Sequence, residues 1–408
     1  MPDTSFDIVV FGATSFVGQI LCRYLWQRHG VGGAVKWALA GRSRSKLEQV
    51  RGQLGNGAQV LPLLIADAAD ENALSAICQQ TRVVISTVGP YALYGSPLVK
   101  VCAETGTDYC DLTGEVAWMA QMIAAHEGTA KKTGARIVHT CGFDSVPSDL
   151  GVQYLQEQAQ TQFGAPCTDV RMRIARIKGG LSGGTVASML NMMREMEKDP
   201  SIKRALTNPF VLTPEGRGVR QPNVNFMAYD HGAKSWLAPF VMASINTRVV
   251  HRTNHLMGTP YGQEFKYDEA MMTGPGLGGR LRALGMASGL AGFLVASSFT
   301  ATRNLLERYV VPKPGEGPSP QSQERGFYDL RFMGQTTQGQ KLIAKVTGDR
   351  DPGYGSTAKM LGEAGACLAF DLPKDEFAGG FWTPAALMGK RLRLRLESHA
   401  GLKFSVVP

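Results

Sequence analysis

The first 140 residues alternate between short apolar runs and segments of helical periodicity, and few folds accommodate that order. Phe6–Phe11, Val35–Ala40, Val60–Ala66, Arg82–Val88 and Arg136–Thr140 read as strands, five to seven residues each and apolar enough to be buried on both faces. Between the first two, Val17, Ile20, Leu21, Tyr24 and Leu25 recur at helical spacing, with Gly30 as a stop. Further helices are predicted from Ser45, from Glu71, and over Pro97–Gly106 and Val116–Thr133. Strand and helix in alternation predict βαβ units with right-handed crossovers, hence an α/β fold with a doubly wound parallel sheet of Rossmann type.

Beyond Gly142 the pattern changes. Asp149–Gln158 is helical, and Val170–Lys178 alternates, with Arg171 and Arg173 on one face and Val170, Met172 and Ile174 on the other. Thr247–Arg252, Gln263–Ala270, Gly326–Gly334 and Lys341–Gly348 also read as strands. Ser356–Phe370 returns to helical spacing, and Trp382–Leu387 follows a Gly379-Gly380 turn. A chain of 408 residues is too long for one compact core. The expected division is a dinucleotide-binding domain over 1–145, completed by about 352–408, and a second α+β domain over 146–351 on a mixed or antiparallel sheet. That second domain is expected to serve substrate binding and homo-oligomerisation. Lys313–Pro320, with three prolines among glycine and serine, is the candidate mobile loop.

The turn after the first strand, Gly12-Ala13-Thr14-Ser15-Phe16-Val17-Gly18, would aim backbone N–H groups at a pyrophosphate from a helix N-terminus. Gly12 serves the tight turn and Gly18 the close helix-to-sheet contact. The second strand ends Ala40-Gly41-Arg42-Ser43-Arg44-Ser45-Lys46, where an NAD-selective enzyme would carry Asp or Glu against the ribose 2′-hydroxyl. Arg42, Ser43 and Lys46 instead suit a 2′-phosphate, so the cofactor expected is NADP(H). Asp67 suits the adenine edge, and Val88, Gly89, Pro90 and Tyr91 end a strand where backbone would pass the nicotinamide. Asp111, Gly114 and Glu115 follow the fifth strand beside that position, Glu115 placed either to orient an amide or to cap the next helix.

Asp144 and Ser145 sit at the domain junction and are the candidates for donating or relaying a proton, with an N-cap as the competing role. Gly179–Thr185 leads into an apolar helix; with Arg171 and Arg173, its Ser182 and Thr185 are candidates for binding a carboxylate or a phosphopantetheine phosphate. His251 and His255 are four apart but lie in a strand-like stretch without a third ligand, so no metal is expected. Cys141 reads as a buried small residue rather than a nucleophile.

The net charge of +9 would suit nucleic acid, an anionic membrane or phosphate-bearing ligands. Dense basic clusters and nucleic-acid motifs are lacking, which excludes the first and favours the other two. The seven cysteines include no C-x-x-C pair, and with no secretory signal before the first strand a cytoplasmic location is expected. Residues 283–302 carry no charge, with Arg280 and Arg282 before them and Arg303 and Arg308 after. Their glycines make a weak span, so a helix lying at an interface is expected, giving peripheral contact with lipid at the inner face of the plasma membrane, or with a partner; a buried helix is the alternative.

Gly12-Ala13-Thr14, Ala40–Ser43, Val88–Tyr91, Asp111–Glu115, Gly142–Asp149, Asp349–Tyr354 and Thr383-Pro384-Ala385 together resemble the saccharopine dehydrogenase-like oxidoreductases, and more narrowly the trans-acting enoyl reductases. The resemblance implies an NADP-binding Rossmann domain, a mixed α+β substrate domain and reduction of a double bond in a polyketide-derived lipid during glycolipid assembly. It also implies a hydrophobic acyl substrate, small or carrier-bound. Ser15 stands where the family commonly has a second glycine, so a side chain must tolerate close phosphate approach. Two rival readings remain: a saccharopine-type amino-acid dehydrogenase, which would need paired cations such as Arg171, Arg173 and Arg176, and a non-catalytic NADP-binding scaffold on membranes or lipid.

Overall fold

The computed structural model describes residues 4–179, 183–214, 218–309 and 317–407. Its strands are β1 (Phe6–Phe11), β2 (Trp37–Gly41), β3 (Leu63–Ile65), β4 (Thr81–Ser86), β5 (Asp108–Asp111), β6 (Arg136–Val138) and β7 (Cys167–Lys178). They continue as β8 (Ala228–Asp230), β9 (Ser235–Pro239), β10 (Lys266–Gly274), β11 (Phe327–Thr336), β12 (Lys341–Gly348), β13 (Gly380–Trp382) and β14 (Lys403–Val407). The first sheet runs β13-β6-β5-β4-β1-β2-β3, parallel throughout. The chain winds one way from β1 to β2 and β3, then the other way through β4, β5 and β6, leaving a switch point between β1 and β4. Ligands of open α/β sheets bind at the carboxyl ends of the strands there.

The second sheet runs β14-β12-β11-β7-β10-β9-β8 and is mixed: β7 and β10 are parallel, the other pairs antiparallel. One continuous hydrophobic core joins the two sheets, from Ile8, Val10 and Ile85 through Leu150 and Leu155 to Phe332 and Val346. Close approach of helix to sheet depends on glycine: a Cβ at Gly365 would lie 2.3 Å from Ile85, and one at Gly151 would lie 2.2 Å from Phe332.

Four expectations need correcting. The strand expected over Val60–Ala66 is only Leu63–Ile65; Val60 ends a 3-10 turn and is 68% exposed. Thr247–Arg252 is not a strand but the middle of helix Ala243–Leu256, whose buried Asn246, Val249, Val250 and Thr253 face inward. The C-terminal return is divided: helix Thr357–Phe370 and β13 pack on the first sheet, but β14 crosses to the second and pairs with β12. Residues 283–302 are not one helix either, since Gly276–Ser297 ends and Thr300–Tyr309 begins across a bend of 115°. Among the described residues no single helix is long and apolar enough to cross a membrane. Of the expected mobile loop, 313–316 lie outside the described residues, and Pro320 opens helix Pro320–Glu324.

Candidate active site

A single cavity of about 1940 Å³ opens at the switch point and reaches between the two sheets. Its nucleotide end is built by the first βαβ unit. Gly12 has φ +88°, and a Cβ there would lie 2.6 Å from Val88 and 2.8 Å from Thr87, so the turn accepts only glycine. A Cβ at Gly18 would fall 2.2 Å from the Gly12 carbonyl; Gly18 packs the helix on the turn and does not line the cavity. Thr14, Phe16 and Val17 do line it. Ser15 lines it as the N-cap of helix Phe16–His29: its Oγ accepts from the Gly18 N–H at 2.9 Å and lies 2.9 Å from Thr87 Oγ1. Its hydroxyl is thereby turned into the cap, which is how the loop carries a side chain where glycine is usual.

At the end of β2, Arg42 and Lys46 are exposed on the cavity rim, and neither has a carboxylate partner among the described residues. Ser43 caps the following helix, accepting from the Lys46 N–H at 3.4 Å. Asp67 lines the same end and pins its own turn, accepting from the Ala69 N–H at 3.0 Å. Backbone donors at a helix N-terminus, with two unneutralised cations where a 2′-phosphate would lie, fit NADP(H).

Val88, Gly89, Pro90, Tyr91, Gly114 and Glu115 form the next stretch of wall. Glu115 stands at the N-cap of helix Val116–Thr133, but its side chain makes no bond to that helix. Its carboxylate accepts from the Tyr91 and Ala92 N–H groups at 2.7 and 2.9 Å and from Ser188 Oγ at 2.8 Å, tying the wall after β4 to helix Gly183–Lys198. Burial raises its pKa above the usual carboxylate range. Asp111 is not on the wall: fully buried, it accepts from the Thr113 and Thr140 N–H groups at 3.0 and 3.1 Å and from Tyr109 OH at 3.0 Å, and its Oδ2 lies 2.7 Å from His139 Nδ1. Every oxygen is taken, so it braces the loop and has none left for nicotinamide.

The two proton candidates separate. Asp144 lines the cavity, and burial with the nearby Asp111 charge pushes its carboxyl up to about 7. Ser145 is fully buried, off the wall, and donates to Asn246 Oδ1 at 3.0 Å. The expected substrate residues also scatter. Arg173 is buried between Asp230 and Asp268, at 2.8 and 3.1 Å, while Arg171, two residues earlier on the same strand face, sits on the surface against Asp169. Neither lines the cavity. Thr185 falls in helix Gly183–Lys198, whose Gly183, Gly184 and Ser188 do line it; Ser182 lies outside the described residues. His251 and His255 share a helix face, but His251 is packed between Phe210 and Phe265, where burial and then Arg248 push it down to about 3.

Several wall residues carry no local sequence signal. Tyr267 and Glu269 alternate on β10, a strand whose pattern is legible but whose acid bears no mark of its place. Glu269 accepts from Tyr267 OH at 2.7 Å and from Asn246 Nδ2 at 2.8 Å, and burial pushes it up to about 7. Ile245 and Arg248 come from the helix whose composition suggests a strand. Leu206, Phe210, Leu290 and Leu294 make an apolar arm beyond the nucleotide end.

Residues 8–138 match the saccharopine dehydrogenase NADP binding domain. The chain is 43% identical across 405 residues to a Mycobacterium tuberculosis H37Rv protein, Rv2449c, named as a candidate trans-acting enoyl reductase, with 96% of each chain covered. It is 38% identical across 410 residues to a trans-acting enoyl reductase of the same organism, covering 97% of this chain and 96% of that one. A trans-acting enoyl reductase of Mycobacterium leprae stands at 38% across 406 residues, with 96% of each covered. Apo saccharopine dehydrogenase (L-Glu forming) from Saccharomyces cerevisiae shares the fold, with a TM-score of 0.56 at 11% identity over 99% of this chain and 100% of that one.

Proposed function

The chain belongs to the trans-acting enoyl reductases, among the saccharopine dehydrogenase-like oxidoreductases, and on that premise we propose that it reduces the carbon–carbon double bond of a hydrophobic enoyl thioester of polyketide-lipid type. It is an NADP-dependent oxidoreductase, and the bound cofactor supplies the hydride. The observation that carries the substrate reading is the continuity of one cavity from the cationic nucleotide end to the apolar arm of Leu206, Phe210, Leu290 and Leu294.

The protein's share of the work is holding and protonating. The turn from Gly12 to Val17 receives the pyrophosphate, and Arg42, Ser43 and Lys46 grip the 2′-phosphate. Gly89, Pro90 and Gly114 shape the wall along the nicotinamide, kept in place by Glu115. Asp144, protonated up to about pH 7, delivers a proton to the α-carbon of the substrate. Of the three arginines that an amino-acid dehydrogenase would use, Arg173 is neutralised by two aspartates, and Arg171 and Arg176 are off the wall, which carries Arg220 and Arg248 instead.

The test is NADPH oxidation with a medium-chain 2-enoyl thioester, beside lysine plus 2-oxoglutarate. Enoyl turnover is expected, and the Arg42→Ala variant should lose about 10- to 100-fold in kcat/KM for NADPH while NADH is unaffected, as befits one lost charge-assisted phosphate contact. Turnover of the amino-acid pair alone, or an unchanged NADPH preference in the variant, would reject the reading.

A further inference from the structure

Six arginines are buried among the described residues, and five have a carboxylate: Arg136 with Asp108, Arg173 with Asp230 and Asp268, Arg252 with Glu127, Arg303 with Glu197, and Arg393 with Glu157. Arg248 is the exception. It is 8% exposed, on helix Ala243–Leu256, and lines the cavity. One terminal nitrogen donates to the Leu206 carbonyl and the other to Thr247 Oγ1 at 3.2 Å, while its Nε has no partner. Burial lowers it to about 10, so it is still a cation at neutral pH. A guanidinium with neutral neighbours and an idle donor is a costly thing to bury. Such a group makes physical sense where a negative oxygen arrives with the ligand.

Its position says which oxygen. Ile245, three residues earlier, comes within 2.8 Å of where a Cβ on Gly114 would stand, and Asp144 Oδ1 lies 3.8 Å from the same point. Arg248 is therefore roughly one helical turn, about 5 Å along the axis, from the side chain that packs beside the proton donor. Its guanidinium bonds the carbonyl of Leu206 in the apolar arm, and Phe210 of that arm packs against His251 on the same helix.

We infer that Arg248 holds the acyl oxygen of the substrate, on the carbon next to the one that Asp144 protonates. This rests on the reductase reading only for the source of the negative charge. In a free acid the oxygen is a standing carboxylate. In an enoyl thioester it becomes negative when hydride adds to the β-carbon and the π electrons move to the oxygen. The proton of Asp144 then goes to the α-carbon, the carbonyl re-forms, and Asp144 is left as the carboxylate. Arg248 would stabilise that transient charge as an oxyanion-binding donor does.

Two measurements on the full-length protein with NADP⁺ or NADPH test it. The first is calorimetric titration with decanoate and with decanol. The second is steady-state reduction of a 2-decenoyl N-acetylcysteamine thioester. If the oxygen is a standing carboxylate, the parent prefers decanoate by about tenfold or more, and R248Q loses that preference with decanol binding unchanged. If it is the thioester oxygen, kcat of R248Q falls about 100- to 1000-fold at little-changed KM, and R248K, lacking the fork, recovers only part. Either result supports the assignment, provided NADPH affinity is retained. Should R248Q not fold, R248K carries the same comparison. An R248Q protein matching the parent in both measurements would overturn it. A parent that prefers decanoate through Arg248 but reduces no enoyl thioester would keep this site and discard the reductase.

Discussion

Asp144 and Glu269 are two carboxyls on one cavity wall, both pushed up to about 7 by burial, and only one of them needs to give a proton. Among the described residues Asp144 has no side-chain hydrogen-bond partner, whereas Glu269 already accepts from Tyr267 and Asn246. The freer carboxyl is the better donor, because its proton is not bound into a network. A group that must be protonated to work loses function as pH rises through its constant, so kcat should fall above about pH 7. Asp144→Asn should lower kcat by about 100-fold or more and remove that limb, with NADPH affinity unchanged. A limb that survives in Asp144→Asn and vanishes in Glu269→Gln would move the proton to Glu269. At this scale the sequence was readable where geometry is local: Gly12, Ser15, Arg42, Ser43 and Lys46 lie within a few residues of a recognisable strand end, and all five line the cavity. It was silent on Arg248 and Glu269, whose meaning comes from neighbours distant along the chain, and it misplaced Asp111, which a strand-end position alone cannot separate from a brace.

Helix Ala243–Leu256 shows why elements were lost. Thr247, Val249, Val250 and Thr253 are β-branched and favour a strand by local preference. Packing against helix Val146–Phe163 overrides it: Asn246 bonds Ser148, and Thr253 bonds Asp149 at 2.5 Å, contacts that need helical spacing. Strong local patterns such as β1, its turn and its helix survive because nothing distant contradicts them. Helix Gly276–Ser297 poses the opposite question, since little covers it. Leu277, Leu281 and Val295 are 71%, 59% and 60% exposed, and Phe299 and Leu305 beyond the bend 62% and 58%. On its inner side Leu290 and Leu294 line the cavity, so the same helix separates the apolar arm from solvent. Apolar side chains outside, Arg280 and Arg282 at the start and a net charge of +9 suit an anionic bilayer lying against this face, from which a lipid substrate would enter. The protein is expected to float with vesicles rich in phosphatidylglycerol but not with pure phosphatidylcholine, and a Leu281→Asp, Phe299→Asp variant to stay at the bottom while still binding NADPH. Co-flotation unaltered in the variant would refute this docking face; a lipid-free dimer that the variant converts to monomer would give the face to a second copy instead.

The two sheets share one core, so the molecule titrates as a whole, and its buried acids dictate how. Asp149 accepts from Thr253 Oγ1 and from the Ala385 N–H at 2.8 Å, joining helix Ala243–Leu256 to the C-terminal segment, and burial pushes it up to about 7. With Asp144 and Glu269 it makes three carboxyls that hold protons more tightly folded than unfolded, where their constants are 3.8 to 4.5. The sign follows from proton binding. Between about pH 4 and 7 the native state carries more protons than the unfolded one, so the contribution of these three groups is greatest below that window and declines as pH rises through it. Each tenfold gain in proton affinity on folding is worth about 1.4 kcal/mol per group, and three buried groups place the loss on the order of ten kcal/mol before solvent relaxation reduces it. Asp230 and His251 work in the other direction: the pKa of Asp230 is lowered in the native state, and His251, pushed down to about 3, stays neutral in the fold where the unfolded side chain takes a proton below about 6.5, so both contributions are lost as pH falls. Melting temperature should therefore peak near pH 5 and fall by several degrees toward pH 8, with a shallower decline in Asp149→Asn, which cannot ionise at the junction of the two sheets. Scanning fluorimetry across that range decides it: a melting temperature that climbs steadily from pH 5 to 8 would mean that these acids are hydrated in the folded protein, and that the cavity wall carrying Asp144 and Glu269 is wet rather than built to keep a proton.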